Sequence, residues 1–165
     1  MIEVQWQSLR RAVPEDVPAL AALYAQTART LGPGCYTVQQ VQAWESFAHD
    51  TSFGEYVLGA CTWVLVDTEA QPCAFCGVDD GGEVRSFYVR AGCTRRGIGS
   101  RLLAWVLQDA RARGHQRFST WATPISRRVF ERAGFVLQQV VREPYQGVLF
   151  DRFRLVLPAA GECVP

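Results

Sequence analysis

The stretch Thr94-Arg95-Arg96-Gly97-Ile98-Gly99-Ser100 concentrates what an anion site needs. Glycine at 97 and 99 lets backbone approach a ligand closely. Beyond it, Leu102, Leu103, Val106, Leu107 and Ala110 recur at helical spacing, and Gly114 is a fitting stop. A helix opening at Gly97 presents unpaired N–H groups and the positive end of its dipole. With Arg95 and Arg96 beside them, these amides form a site for a phosphate or diphosphate. The third glycine of a dinucleotide fingerprint is missing, because Gly97-Ile98-Gly99 continues Ser100-Arg101-Leu102. The strand-to-glycine spacing is too long for that fold's tight turn, and no Gly-Lys-Ser/Thr of a P-loop follows.

Other chemistry-bearing residues are weaker signals. Cys73-Ala74-Phe75-Cys76 spells C-x-x-C, but no second pair follows at zinc spacing. It sits in a strand-like run, so buried free thiols are expected and no metal site. His49 and His115 have no partner in view and read as surface residues.

The elements that must position the glycine loop can be read in order. A strand over Gln5–Ala12 leads to Pro14-Glu15-Asp16, which opens a helix with acids in its first turn. Val17, Leu20, Leu23 and Tyr24 share one face of it. Gly32-Pro33-Gly34 breaks the chain, and Thr37 with Gln40 makes a capping box for a second helix through Val41 and Trp44. Residues 46–60 read as loop or short helical turns. Strands are expected over Trp63–Asp67, Pro72–Val78 and Glu83–Val89, with Asp79-Asp80-Gly81-Gly82 as a turn. After the long helix come a strand at Arg117–Trp121, a helix from Pro124 to Ala133, and strands over Val136–Arg142 and Val148–Leu157. Hairpins followed by a strand-helix-strand unit predict an α/β (α+β) fold: a mixed, mostly antiparallel central sheet with helices on both faces. One domain over 1–157 is expected, with a frayed tail over 158–165.

Composition bounds the function. The chain has 165 residues, 48% hydrophobic and 20% charged, with neither Lys nor Asn. No apolar run is long enough to span a bilayer. The first residues lack a signal-peptide pattern, so the cytoplasm is the expected compartment. Residues 1–83 hold three Arg against 11 acids, a net of −8; residues 84–165 hold 14 Arg against five acids, a net of +9. The basic half fits a polyanionic ligand, and the acidic half could draw a cationic one. The arginines show no basic-aromatic repeat, so no nucleic-acid partner is expected.

Tyr88-Val89, the connecting loop and Thr94-Arg95-Arg96-Gly97-Ile98-Gly99-Ser100-Arg101-Leu102-Leu103 resemble the acetyl-CoA signature of GNAT acetyltransferases. Val129-Phe130-Glu131-Arg132-Ala133-Gly134-Phe135 is similar to the family's later F-Y-x-x-x-G-F segment. The element order agrees, so the resemblance covers nearly the whole chain. More narrowly, Tyr36, Gln40, Trp44, Phe130 to Phe135 and Tyr145-Gln146-Gly147-Val148 resemble a bacterial subgroup called YafP-like.

The resemblance implies an N-acetyltransferase that moves an acetyl group from acetyl-CoA to a small-molecule or protein amine. The enzyme would act as a monomer or homodimer. Thr94, Arg95, Arg96, Gly97, Ile98, Gly99 and Ser100 would hold the diphosphate. Phe87, Tyr88 and Val89 would hold the pantetheine arm and the acetyl carbonyl, with the Val89 N–H polarising that carbonyl. Thr123, Ser126, Phe130 and Arg132 would flank the rest of the cofactor. Thr94 stands where the family usually has Arg or Gln, and Thr123 where many members have Asn. Phe130 stands where many have the tyrosine that protonates the leaving thiolate. Tyr145 or Tyr88 is the candidate replacement. Glu83, six residues before Val89, resembles the general base of members acting on protein lysines; Glu143 and Asp151 are alternatives. Trp44, Tyr36 and Trp121 could line an acceptor pocket. The missing tyrosine leaves a second class open, a non-catalytic acyl-CoA-binding module.

Overall fold

Pro14 suits a first helical turn because it has no N–H to lose there. In the computed structural model, which describes residues 6–162, Pro14–Asp16 form a 3-10 turn that runs into helix α1, Val17–Leu31. Leu20, Leu23 and Tyr24 are buried on one side of α1, as their spacing predicts, with Val17 packed beside them. The Asp16 carboxylate accepts from the Val13 N–H at 2.9 Å and from the Arg10 guanidinium at 2.7 and 2.8 Å. It thereby ties α1 to strand β1, Trp6–Arg11. The expected strand start at Gln5 lies outside the described residues.

The capping box forms at helix α2, Val38–Ser46: the Thr37 N–H donates to Gln40 Oε1 at 2.8 Å, and the Gln40 N–H to Thr37 Oγ1 at 3.2 Å. Gln40 Nε2 also donates to the Leu149 carbonyl at 2.8 Å, which anchors α2 to the far end of the sheet. The ambiguous stretch after Ser46 holds a 3-10 turn, Phe47–His49, and a short helix α3, Phe53–Leu58.

Among the described residues, seven strands form one sheet. After β1 come β2 Cys61–Asp67, β3 Pro72–Val78, β4 Glu83–Val89, β5 Phe118–Ala122, β6 Val136–Tyr145 and β7 Val148–Leu157. Their order is β1-β2-β3-β4-β5-β7-β6, and only β4 and β5 run parallel. Helix α4, Ile98–Ala112, packs its expected stripe on one face of the sheet, in a core that also takes Phe130 and Phe135. Helices α1 to α3 cover the other face, in a core rich in aromatic rings. Helices therefore lie on both faces of a mixed sheet, as the element order requires.

Local bounds differ from the sequence reading where side chains intervene. The helix expected from Pro124 begins only at Arg127 (α5, Arg127–Arg132), because Thr123 and Ser126 bond to each other in the preceding turn. β6 runs on to Tyr145, since its ladder with β7 continues to the pair Tyr145–Val148. Cys73 and Cys76 are buried free thiols. His49 is exposed, whereas His115 is partly covered and tilts against Phe118 at 6.3 Å. At the C-terminal end, Glu162 pairs with Arg117 and its N–H donates to the Ala159 carbonyl at 3.1 Å. Positions 163–165 of the expected tail lie outside the described residues. Among the described residues, no helix is long and apolar enough to cross a membrane.

Candidate active site

Two parallel strands that separate leave unpaired backbone between them, and β4 and β5 do this. They pair only at Glu83–Ser119 and Val84–Thr120. From Arg85 onward the strands part, and a cleft of about 530 Å³ opens in the fork. On its other edge β4 stays on the β3 ladder as far as Ala74–Val89, and the Arg90 N–H then donates to the Cys73 carbonyl at 2.8 Å. Successive amides of a strand point to opposite edges. The Arg90 N–H faces β3, so the Val89 and Phe87 amides face the fork.

The glycine loop stands at the open end of the fork. Helix α4 begins at Ile98, one residue later than read from the sequence, because Gly97 is its N-cap in the left-handed region at φ 73°. Arg95 is left-handed too, at φ 61°. No side chain caps α4, and the first intrahelical bond of the following turn runs from the Arg101 N–H to the Gly97 carbonyl at 3.0 Å. The amides of Ile98, Gly99 and Ser100 therefore have no acceptor within the helix. Nothing lies within 4 Å of where a Gly97 side chain would begin, so this backbone is open to a ligand. Gly99 has a different reason. A Cβ there would lie 2.9 Å from Phe87 Cζ and 3.4 Å from Val89 Cγ2, so its glycine lets α4 pack on β4.

The structure brings most of the sequence-predicted residues together. Phe87, Tyr88, Val89, Thr94, Arg95, Gly97, Ile98, Gly99, Ser100, Thr123, Ser126, Phe130 and Arg132 all line the cleft. Arg96 is exposed in the same loop without lining it. Thr123 and Ser126 form a reciprocal pair: each backbone N–H donates to the other's hydroxyl at 3.1 Å, and the two oxygens lie 3.2 Å apart. Phe130 is buried against Phe87 at 5.2 Å and Phe135 at 5.1 Å, so one edge of the cleft is apolar.

The catalytic candidates are less gathered. Glu83 sits just beyond the closed end of the fork, next to the lining residue Val84, with Arg154 Nη1 at 3.5 Å. Glu143 pairs with Arg152 at 3.2 Å and Asp151 with Arg142 at 3.6 Å, all four exposed on the β6–β7 hairpin. Tyr145 is exposed on that hairpin, 6.4 Å from Phe150, and does not line the cleft. Tyr88 does line it, and its ring stacks on Phe75 and tilts against Tyr24 at 4.6 Å. Burial pushes the Tyr88 hydroxyl above its ordinary pKa, so it stays protonated at neutral pH. Trp44 and Trp121 line the cleft; Tyr36 stands behind Trp44, edge-on at 5.7 Å.

Among the lining residues that the sequence did not single out are Arg85, Arg128 and Ile125. Arg128 shares a helical face with Arg132, four residues on, which was a usable signal. Arg85 gave none. The charged lining residues are Arg85, Arg95, Arg128 and Arg132, and no carboxylate is among them.

Residues 34–156 match the family described as the acetyltransferase (GNAT) domain, three quarters of the chain. The chain belongs to the GNAT acetyltransferase family. Solved structures agree on the fold. A GCN5-related N-acetyltransferase from Rhodopseudomonas palustris is 22% identical, with a TM-score of 0.86 over 96% of this chain and 99% of that one. The paia N-acetyltransferase from Thermoplasma acidophilum, solved with coenzyme A, is 12% identical, with a TM-score of 0.71 over 90% and 96%. The yncA acetyltransferase from Salmonella typhimurium, solved with acetyl-CoA, is 17% identical, with a TM-score of 0.64 over 98% of each chain. No curated relative matches the chain in sequence.

Proposed function

We propose that this GNAT protein transfers the acetyl group of acetyl-CoA directly to an amine, with the diphosphate seated on the amides of Ile98, Gly99 and Ser100. The observation that carries the reading is the adjacency of two sets of unused donors. One is the uncapped first turn of α4; the other is the fork-facing edge of β4. Arg95, Arg128 and Arg132 supply charge for the phosphates. The Val89 N–H, turned away from β3, polarises the thioester carbonyl as attack proceeds. The amine nitrogen bonds to the carbonyl carbon, the C–S bond breaks, and sulfur keeps the electron pair. The amine gives up one proton, for which Glu83 is the nearest of the three candidate carboxylates in sequence and in strand order. A thiolate leaves readily enough, with a pKa of about 8.5 by analogy with cysteine, for Phe130 to be compatible with turnover. Tyr88 is the protonated hydroxyl in the cleft wall and replaces Tyr145 as the candidate donor to sulfur.

The same reading treats 1–157 as one catalytic domain acting in the cytoplasm, as a monomer or homodimer. It keeps the likeness to the YafP-like subgroup, which rests on Tyr36, Gln40, Trp44, Phe130 to Phe135 and Tyr145-Gln146-Gly147-Val148.

The test is titration with acetyl-CoA followed by free-thiol release over a panel of amines. Micromolar binding with acceptor-dependent thiol release is expected. Binding without release on any amine would favour the acyl-CoA-binding module instead.

A further inference from the structure

The cleft passes through the sheet, and its two mouths differ. Phe87, Val89, Val129 and Phe130 belong to the core on the α4 side, whereas Tyr88, Trp44 and Ile125 belong to the core on the α1–α3 side. Arg95, Arg128 and Arg132 are carried by the α4 loop and α5. The fourth arginine, Arg85, lies on the opposite side. The ladder between β3 and β4 slips there, with Gly77 opposite Ser86 but Val78 opposite Val84, so Arg85 is the extra residue of a bulge. Bulges re-aim side chains. This one sets the Arg85 guanidinium 5.8 Å above the Tyr56 ring, while the Tyr56 hydroxyl donates to the Arg85 carbonyl at 2.7 Å.

Arg85 has no carboxylate partner among the described residues. Ten ion pairs are formed there and none includes it. Two arginines near the cleft on this side of the sheet, Arg152 and Arg154, flank Trp121 at 5.0 and 5.2 Å but are paired with Glu143 and Glu83. An arginine carries five donors in a fixed fork suited to a carboxylate. Arg85 is one of the lining residues of a cleft walled also by Trp44, Tyr88 and Trp121, with no acid in the lining. A polyamine entering this mouth would meet like charge.

We infer that the acceptor is an amine that also bears a carboxylate, which Arg85 receives on the α1–α3 side of the sheet while the amine reaches the fork. The inference rests on the acetyl-transfer reading above. Four residues of strand, about 13 Å, separate Arg85 from Val89. The carboxylate therefore stands several bonds from the amine, as an ω-carboxylate does.

Matched pairs test this: L-glutamate against L-glutamine, and 6-aminohexanoate against its amide, with spermidine as the cationic arm. Binding to the CoA-loaded protein and thiol release from acetyl-CoA are both read. Each acid is expected to exceed its amide by about 10- to 100-fold, the worth of a charge-assisted hydrogen bond, and spermidine should be the poorest. In R85Q the ratio of acid to amide should fall close to one, with R85K between, while affinity for acetyl-CoA and 3′-dephospho-CoA holds. The inference is overturned if neither acid binds better than its amide, or if spermidine is preferred. It is also overturned if R85Q weakens acetyl-CoA but not 3′-dephospho-CoA, because Arg85 would then belong to the cofactor phosphate. Failure of wild-type protein to bind acetyl-CoA at all would instead remove the reading beneath it.

Discussion

The Arg90 N–H donates to the Cys73 carbonyl at 2.8 Å, and this bond fixes which edge of β4 each amide serves. The Val89 N–H is left facing the fork, outside the ladder. Val89→Pro therefore removes a donor without breaking a sheet bond, the one strand context in which proline is tolerated. The variant should fold and lose turnover by about 10²- to 10³-fold, the usual value of one oxyanion donor. Circular dichroism and steady-state kinetics together check it; wild-type turnover would clear Val89 of this role.

The two glycines of the loop should respond differently. Gly97→Trp adds bulk where nothing lies within 4 Å but at a left-handed φ of 73°, so it should lose about 1–2 kcal/mol of stability to backbone strain and fail to bind acetyl-CoA. Gly99→Ala places a methyl 2.9 Å from Phe87 Cζ. It should cost about 1–3 kcal/mol of stability through overpacking, read as a lower melting temperature.

Glu83→Gln keeps the shape of the side chain and removes its basicity. Turnover should drop by about 10²- to 10⁴-fold, with acetyl-CoA affinity little changed. If turnover is unchanged across pH, Glu83 only holds Arg154, and proton removal falls to water.

Asp16 gives a pH prediction. The Arg10 guanidinium holds its carboxyl below the ordinary carboxylate range, against the opposing effect of burial and with help from the Val13 N–H. A depressed folded value stabilises the protein above the unfolded value, about 3.9, and that stability is lost as pH falls through the folded value. Asp16→Asn should therefore cost about 1–3 kcal/mol near neutrality. The gap to wild type should close below about pH 4 in denaturant melts. Arg10 is partly exposed, so added salt should narrow it too.

Thiol labelling should sort the cysteines by burial. Cys35 is exposed, while Cys73, Cys76 and Cys93 are buried, and burial raises the pKa of Cys73 and Cys76. Under native conditions an alkylating reagent should modify Cys35 before Cys73, Cys76 and Cys93. The other three should react only at the rate of unfolding, as intact-mass measurement will show.

Much of this architecture is legible locally, because turn chemistry and capping act over a few residues. Asp79-Asp80-Gly81-Gly82 delimits β3 and β4 where the structure has them, Thr37 and Gln40 cap α2 as read, and Gly97 marks the head of α4 to within one residue. The residues of the loop Thr94–Ser100 are contiguous, so their spacing alone brings them together. What the chain could not announce depends on partners far away in sequence. β4 and β5 share only two register pairs, and that shortfall, invisible in either strand, is what opens the cleft. Glu83 meets Arg154 across 71 positions, Gly99 is glycine because of Phe87, and Arg85 is turned by a slip against β3. Periodicity specifies which face a residue takes on its own element; only packing the elements together decides which side chain, or which empty space, it meets there.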